Sequence, residues 1–207
     1  MQRLIVGISG ASGIVYGVRL LEVLRHTSVE THLILSEAAK SVAALETGYS
    51  AAQIEALANV VYEDDDLAAC ISSGSFLTMG MVVAPCAIKS LSAIAHSYSD
   101  GLLVRAADVA LKEGRRLVLV VRETPLHLGH LRLMVEAAEC GAVILPPMPA
   151  FYHHPQSVAD IVDHTVGKIL DQFGVEHNLF SRWQGGGVDT CSPQENVDVS
   201  LSDGGRW

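Results

Sequence analysis

The stretch Arg3-Leu4-Ile5-Val6-Gly7-Ile8-Ser9-Gly10-Ala11-Ser12-Gly13 begins as a short, branched apolar run and ends in a turn of small residues. Residues 3–8 have the length and side chains of a buried strand. Gly13 to Arg25 then carries Val15, Val18, Leu21 and Leu24 at helical spacing, so a strand feeds a helix through this turn. The unit recurs along the chain. Residues 31–35 (THLIL), 80–84 (GMVVA), 117–121 (LVLVV) and 142–145 (AVIL) read as further buried strands. Glu37 to Glu46 and the stretches 88–96, 103–114 and 127–140 read as helices. Residues 155–174 read as a last long helix with Pro155 in its first turn. Alternating strands and helices predict an α/β protein, a three-layer Rossmann-like parallel sheet with helices on both faces. The stretch 48–78 is less regular, and its acidic run Glu63-Asp64-Asp65-Asp66 reads as a solvated turn.

The 207 residues are enough for one domain with its own core, expected over 1–185. From Gly185 the composition turns polar and glycine-rich, so 186–207 is expected to be a mobile polar tail. Hydrophobic residues make up 49% of the chain and the mean hydropathy is +0.32, yet no apolar run reaches the ~18 residues of a membrane span. So apolar a chain is expected to bury surface against copies of itself. The start lacks the pattern of a signal peptide, and Cys70, Cys86, Cys140 and Cys191 are widely spaced with no CxxC, which points to reduced thiols and the cytoplasm. With 14 Lys and Arg against 23 Asp and Glu the net charge is −9. Nucleic acid is excluded as a partner for the whole surface, and any anionic ligand needs a local cluster of cations.

Several motifs sit where such a cluster could form. The glycines at 7, 10 and 13 fit neither the dinucleotide GxGxxG nor a P-loop, but they let backbone N–H groups approach an anion at a helix start. Ser12 adds a hydroxyl. Ser36, closing the second strand, is placed as an N-cap at the ligand-binding edge of a parallel sheet. Pro85-Cys86-Ala87-Ile88-Lys89-Ser90 offers another helix start with a hydroxyl and a cation, with Cys86 read as a buried structural thiol. Arg105 and Lys112, seven apart, share a helix face with Asp108 between them; spacing alone reads this as an ion-pair ladder. Arg122-Glu123 at the end of a buried strand is costly without partners or a ligand. Pro146 to Pro155 stiffens a loop carrying Phe151 and Tyr152. The pairs His127/His130 and His153/His154 sit on separate elements with no carboxylate at a ligating interval, so no metal site is expected.

Taken in order, GISGASG, LSEAAK with Leu45-Glu46-Thr47, SSGSF at 72–76, RAADVALKEGR, LVLVVRETPLHLGHLRLM, LPPMPAFYHHPQS and Arg182-Trp183 resemble the flavin prenyltransferases of UbiX type. The resemblance runs from residue 3 to about 185. It implies a flavodoxin-like fold, FMN as cofactor, and a dodecamer with sites at subunit junctions. It also implies transfer of the dimethylallyl group of dimethylallyl phosphate to N5 and C6 of reduced FMN. The prenylated FMN would serve a partner UbiD-type decarboxylase, in ubiquinone biosynthesis or, as the alternative, in phenolic-acid metabolism.

By position, the resemblance assigns FMN binding to Gly10, Ala11, Ser12, Ser36, Ala87, Ile88, Lys89, Ser90 and Arg122. Tyr152 and Lys168 would contact the substrate phosphate, and Arg105, Lys112, Glu123 and Glu46 would complete the polar centre. Glu46 with Ser12 would handle protons, Glu123 would orient Lys112 or Arg122, and Trp183 would border the prenyl group. This reverses the ladder reading of Arg105 and Lys112. Two positions depart from the common pattern: Ala87 replaces a serine, and Lys168 stands where some members have arginine. The rival functions are a flavin-dependent aromatic-acid decarboxylase and a non-catalytic FMN carrier.

Overall fold

The structure, a computed structural model, describes residues 2–182. Trp183 and the expected tail at 186–207 lie outside the described residues. The strands β1 (Arg3–Ile8), β2 (Glu30–Leu35), β3 (Val60–Tyr62), β4 (Gly80–Cys86), β5 (Arg116–Val121) and β6 (Val143–Ile144) form one sheet in the order β3-β2-β1-β4-β5-β6. Every pairing is parallel; β1 lies between β2, with Arg3 opposite Glu30, and β4, with Leu4 opposite Gly80. Without the three-residue edge strand β3, the order is the flavodoxin-like one, with the reversal between β1 and β4.

Alternation along the strands sorts the core into two layers. Leu4, Val6, Ile8, Leu33, Leu35, Val82, Ala84, Val118 and Val120 face helices α1 (Ile14–Leu24), α2 (Glu37–Glu46), α3 (Ala51–Glu55) and α7 (Val158–Gln172). Ile5, Ile34, Met81, Val83, Leu117, Leu119 and Val121 face α4 (Ile88–Ala95), α5 (Leu102–Lys112) and α6 (Leu128–Glu139). The central strands β1, β2, β4 and β5 are buried almost throughout, as an apolar run covered on both faces must be. Gly17 is required where α1 crosses β4, because a Cβ there would stand 2.3 Å from the Ala84 carbonyl oxygen.

The expected elements are present, with four corrections. Val15 is exposed; α1 buries Ile14, Gly17, Val18, Leu20, Leu21 and Leu24 instead. The last helix begins at Val158, since Ser157 and Asp160 form a capping box that starts it after Pro155. The irregular 48–78 stretch contains α3, β3 and a 3₁₀ turn at Cys70–Ser72. The acidic run is more than a solvated turn, because the Asp64 carbonyl accepts the Leu102 N–H at 2.6 Å and its carboxylate accepts the Leu103 N–H at 2.8 Å. Among the described residues no helix is long and apolar enough to cross a membrane. The outer face of α6 leaves Leu128, Leu131 and Val135 exposed at helical spacing.

Candidate active site

The crevice opens where the sheet reverses. α1 follows β1 on one face and α4 follows β4 on the other, so the C-terminal ends of these two neighbouring strands diverge. Ser9, almost fully buried, stitches the two walls. Its hydroxyl donates to the Pro85 carbonyl at 2.9 Å and accepts the Ala87 N–H at 2.7 Å. The turn then runs against α2, where a Cβ on Gly10 would fall 2.3 Å from that of Ala38. Gly13 takes a left-handed conformation, φ 98°, as it enters α1.

A cavity of about 500 Å³ lies here, lined by Gly10, Ser36, Ala87, Lys89 and Ser90, with Leu103 and Val104 of α5. Five positions expected from separate motifs to hold FMN therefore meet at one place. The helix starts around it differ in how their N–H groups are satisfied. Ser36 caps α2 by accepting the Ala39 N–H at 3.2 Å. Asp64 serves α5, and Glu46 accepts the Gly13 N–H at 2.8 Å ahead of α1. α4 starts at Ile88; its N-cap Ala87, whose own N–H is taken by Ser9, supplies no side-chain cap, so the N–H groups of the first turn lie beside the cavity without a side-chain cap. The rim is otherwise acidic: Lys40 is held by Glu37 and Glu63, and Lys89 stands 3.6 Å from Asp100.

Beside the turn, Glu46 forms a second group with Ser12 and Arg122. Partial burial pushes the Glu46 carboxyl up, but the Ser12 hydroxyl, the N–H groups of Gly13 and Ile14 and the charge of Arg122 together hold it below the ordinary carboxylate range. Glu46 is therefore ionised at neutral pH and already surrounded by donors. The half-buried Arg122 is anchored through its backbone N–H to the Cys86 carbonyl at 3.1 Å. Cys86 is a fully buried thiol whose pKa desolvation pushes up to about 12, in keeping with a structural role.

The remaining expected residues stand apart within the protomer. Arg105 pairs with Asp108 at 3.0 Å and its Nε donates to the Ser72 carbonyl, while Lys112 pairs with Glu113 rather than Asp108. Neither lines the cavity. Glu123 is exposed and its carboxylate accepts the Thr124 N–H; it pairs with neither Lys112 nor Arg122. The cost foreseen for a buried Arg122-Glu123 pair does not arise, because both residues lie just past the end of β5. Tyr152, in the loop before α7, and Lys168, on it, belong to a third group: Tyr152 Oη stands 2.7 Å from His164 Nε2, and Lys168 lies 3.6 Å from Asp171. Asp171 also takes a two-point contact from Arg182, which depresses its carboxyl against the opposing effect of burial. Trp183, next in the chain, is outside the described residues. Among the described residues no group of three or more His, Cys, Asp or Glu side chains is arranged to hold a metal ion.

Three positions escaped sequence reading. Ser9 was hidden among small turn residues, though a hydroxyl at the end of a fully buried strand must find a partner. Asp64 was hidden in its acidic run. His164 was one of five histidines outside the obvious pairs.

This architecture defines a doubly wound α/β protein with a crevice at its switch point lined by helix starts. Residues 1–170 match the family model described as Flavoprotein. The chain is 64% identical over 188 residues to the flavin prenyltransferase UbiX of Escherichia coli K12, a match covering 89% of this chain and all of that one. The fold superposes on a dodecameric FMN-dependent UbiX-like decarboxylase from Escherichia coli O157:H7 with a TM-score of 0.87 at 54% identity, covering 89% and 100% of the two chains. It superposes on AnUbiX (PadA1), crystallised with FMN and dimethylallyl pyrophosphate, with a TM-score of 0.88 at 47% identity, covering 89% and 98%. The chain belongs to the flavoprotein family and, within it, to the flavin prenyltransferases of UbiX type.

Proposed function

We infer that this protein is a flavin prenyltransferase that joins the dimethylallyl group of dimethylallyl phosphate to N5 and C6 of reduced FMN, giving prenylated FMN for a UbiD-type decarboxylase. The observation that carries this reading is the ionised, donor-wrapped Glu46 beside a crevice whose α4 start is uncapped. The crevice fits FMN on its own terms. Its volume lies in the range of small-molecule sites, Gly10 keeps the turn close to α2, and the free N–H groups of α4 suit a phosphate.

FMN is held in this reading by Gly10, Ala11, Ser12, Ser36, Arg122 and the Ala87–Ser90 segment. When bound and reduced it supplies the electron-rich N5 and C6 atoms that accept the prenyl group. Tyr152 and Lys168 hold the substrate phosphate, and Arg122, Arg105 and Lys112 stabilise its negative charge as it leaves. Glu46, kept as a carboxylate, takes a proton through Ser12. Glu123 holds a cation in place, and Trp183 borders the prenyl group.

Since Arg105 and Lys112 do not line the cavity of their own protomer, in this reading they serve the site of a neighbouring copy. A dodecamer, the assembly of the UbiX-like decarboxylase from Escherichia coli O157:H7, supplies that neighbour and would cover Leu128, Leu131 and Val135. We place the enzyme in the cytoplasm, in keeping with free thiols at Cys70, Cys86 and Cys140, and its product in ubiquinone biosynthesis. The catalytic domain is taken as residues 1–185, followed by the polar, glycine-rich stretch 186–207.

The deciding experiment mixes purified protein, reduced FMN and either dimethylallyl phosphate or its diphosphate, under anaerobic conditions, and weighs the flavin. The expected result is a flavin heavier by the five-carbon prenyl unit. Unmodified flavin, or release of CO₂ from an aromatic acid by the protein alone, would reject the transferase reading. Tight FMN binding without any turnover would make it a carrier.

A further inference from the structure

His164 is a buried side chain in the middle of α7, one turn before Lys168 on the same helix face. Its Nε2 stands 2.7 Å from Tyr152 Oη. The ring is clamped in place: His153 stacks on it with ring centres 4.7 Å apart and planes within 6°, and Phe180 packs at 4.7 Å. Such a ring has little freedom to turn, so Nε2 stays on Tyr152 and the direction of the proton in this short contact is set by the tautomer of the histidine.

That direction matters chemically. A phosphate dianion presents acceptor oxygens, so a tyrosine holds it by donating its single phenolic proton. If that proton were given to His164, Tyr152 would turn only lone pairs toward the phosphate. We propose that His164 is a positioning residue for the substrate phosphate: its Nε2–H donates to Tyr152 Oη and thereby directs the phenolic proton outward to the ligand. The proposal rests on the reading of Tyr152 as a phosphate contact. It goes beyond that reading by assigning the histidine, its tautomer and its path of action. Burial, with the charges of His153 and Lys168, pushes the His164 pKa below its ordinary value against the opposing charge of Asp171. The ring is then neutral at neutral pH and carries a single N–H, so the tautomer is a real choice.

The test is a double-mutant cycle on the holoenzyme with Tyr152→Phe, His164→Phe and both together. It reads KM for dimethylallyl phosphate, kcat, and FMN affinity. Tyr152→Phe is expected to raise KM about tenfold, the size of one lost hydrogen bond to a charged group. His164→Phe should match it, the double variant should be no worse than either within about twofold, and FMN affinity should be unchanged. His164→Gln, which can still donate from its amide, should recover most of the loss. Additive losses, or a wild-type KM in His164→Phe, would overturn the positioning role while leaving Tyr152 as a contact. A wild-type KM in Tyr152→Phe would overturn the phosphate reading itself, and the proposal with it. Should His164→Phe fail to fold, neutron diffraction from the native protein decides. A proton on His164 Nε2 aimed at Tyr152 supports the proposal, and a phenolic proton aimed at Nε2 overturns it.

Discussion

Arg122 and the Arg105/Lys112 pair are all cations at the margins of the sheet, yet their surroundings differ in kind. Arg122 sits at the end of a central strand, tied to β4 through its backbone, and its charge acts on Glu46 and Tyr16. Arg105 and Lys112 lie along α5 with their charges turned to Asp108 and Glu113. The first arrangement is a half-site finished within one chain. The second is an exposed stripe whose contacts are partly solvated pairs worth only tenths of a kcal/mol, and therefore easily exchanged for a stronger anion. On the proposed function, the difference puts proton handling inside the protomer and leaves part of the charge that would meet the leaving phosphate to be presented to a neighbour.

The largest effect is expected where the finished half-site is damaged. Glu46→Gln keeps the shape and loses the charge, so turnover should fall by roughly 10²–10⁴-fold, the usual worth of a placed acid or base, with FMN binding nearly intact. The pH profile carries the same information. Since the folded-state pKa of Glu46 lies below its ordinary value, the carboxylate persists as pH falls through the ordinary range; activity is lost only below that range, while the stability contribution declines from the ordinary value down and is gone below the folded-state pKa. The wild-type acid limb should therefore lie below the usual glutamate range, and a limb above pH 5 would contradict the hydrogen bonding described for Glu46.

Next in size is Lys112→Ala, expected to cost about 10–100-fold in turnover through loss of a charge-assisted phosphate contact. The sharper measurement dissociates Lys112→Ala and Glu46→Gln proteins and reassembles them together in equal amounts. If each site draws these residues from two different chains, about one quarter of sites regain both wild-type residues and activity rises well above either parent. Reassembled mixtures no more active than the parents would erase the distinction between the two regions.

How much of this was legible in the sequence follows the same division. The strands were legible because their apolar runs are buried on both sides by their own chain, and the turn because Gly13 is needed for its own backbone angle; the need for Gly10, its approach to Ala38, 28 positions on, is tertiary. Edge strand β3 was not, since three half-covered residues carry no period. Ser36 as a cap is a local event and could be read directly. Asp64 capping α5 and His164 meeting Tyr152 join residues 39 and 12 positions apart, and no spacing rule reaches across such loops. The Arg105–Lys112 stripe read correctly as sharing one helix face, but its partners in the protomer are acids, and its use comes from family likeness rather than from the chain's own contacts.

A smaller effect is expected from Gly10→Ala. The added methyl meets Ala38 Cβ at 2.3 Å, so the turn must move away from α2. Overpacking of this kind costs about 1–3 kcal/mol, seen as a lower unfolding midpoint, and FMN affinity should weaken with it. The same change at Gly48, where a Cβ meets nothing within 4 Å, is the control and should leave both unchanged.

The smallest effect tests the one helix start around the crevice left without a side-chain cap among the described residues. Ala87 is the N-cap of α4 and offers no side-chain acceptor, while its neighbours across the crevice are capped by Ser36 and Asp64. Ala87→Ser should act in two opposing ways. In the free protein the new hydroxyl can accept an N–H of the first turn and stabilise the helix by about 0.5–2 kcal/mol. In the FMN complex the same hydroxyl can turn and donate to the phosphate, leaving the backbone N–H groups to the anion. Since the free state gains as well, the net tightening of FMN should be only about two- to fivefold, less than one full hydrogen bond. Titration of flavin fluorescence against wild-type and variant protein measures this. A variant that binds FMN more weakly would mean that the added cap competes with the phosphate for the α4 N–H groups, and that their openness is what this chain relies on in place of the hydroxyl.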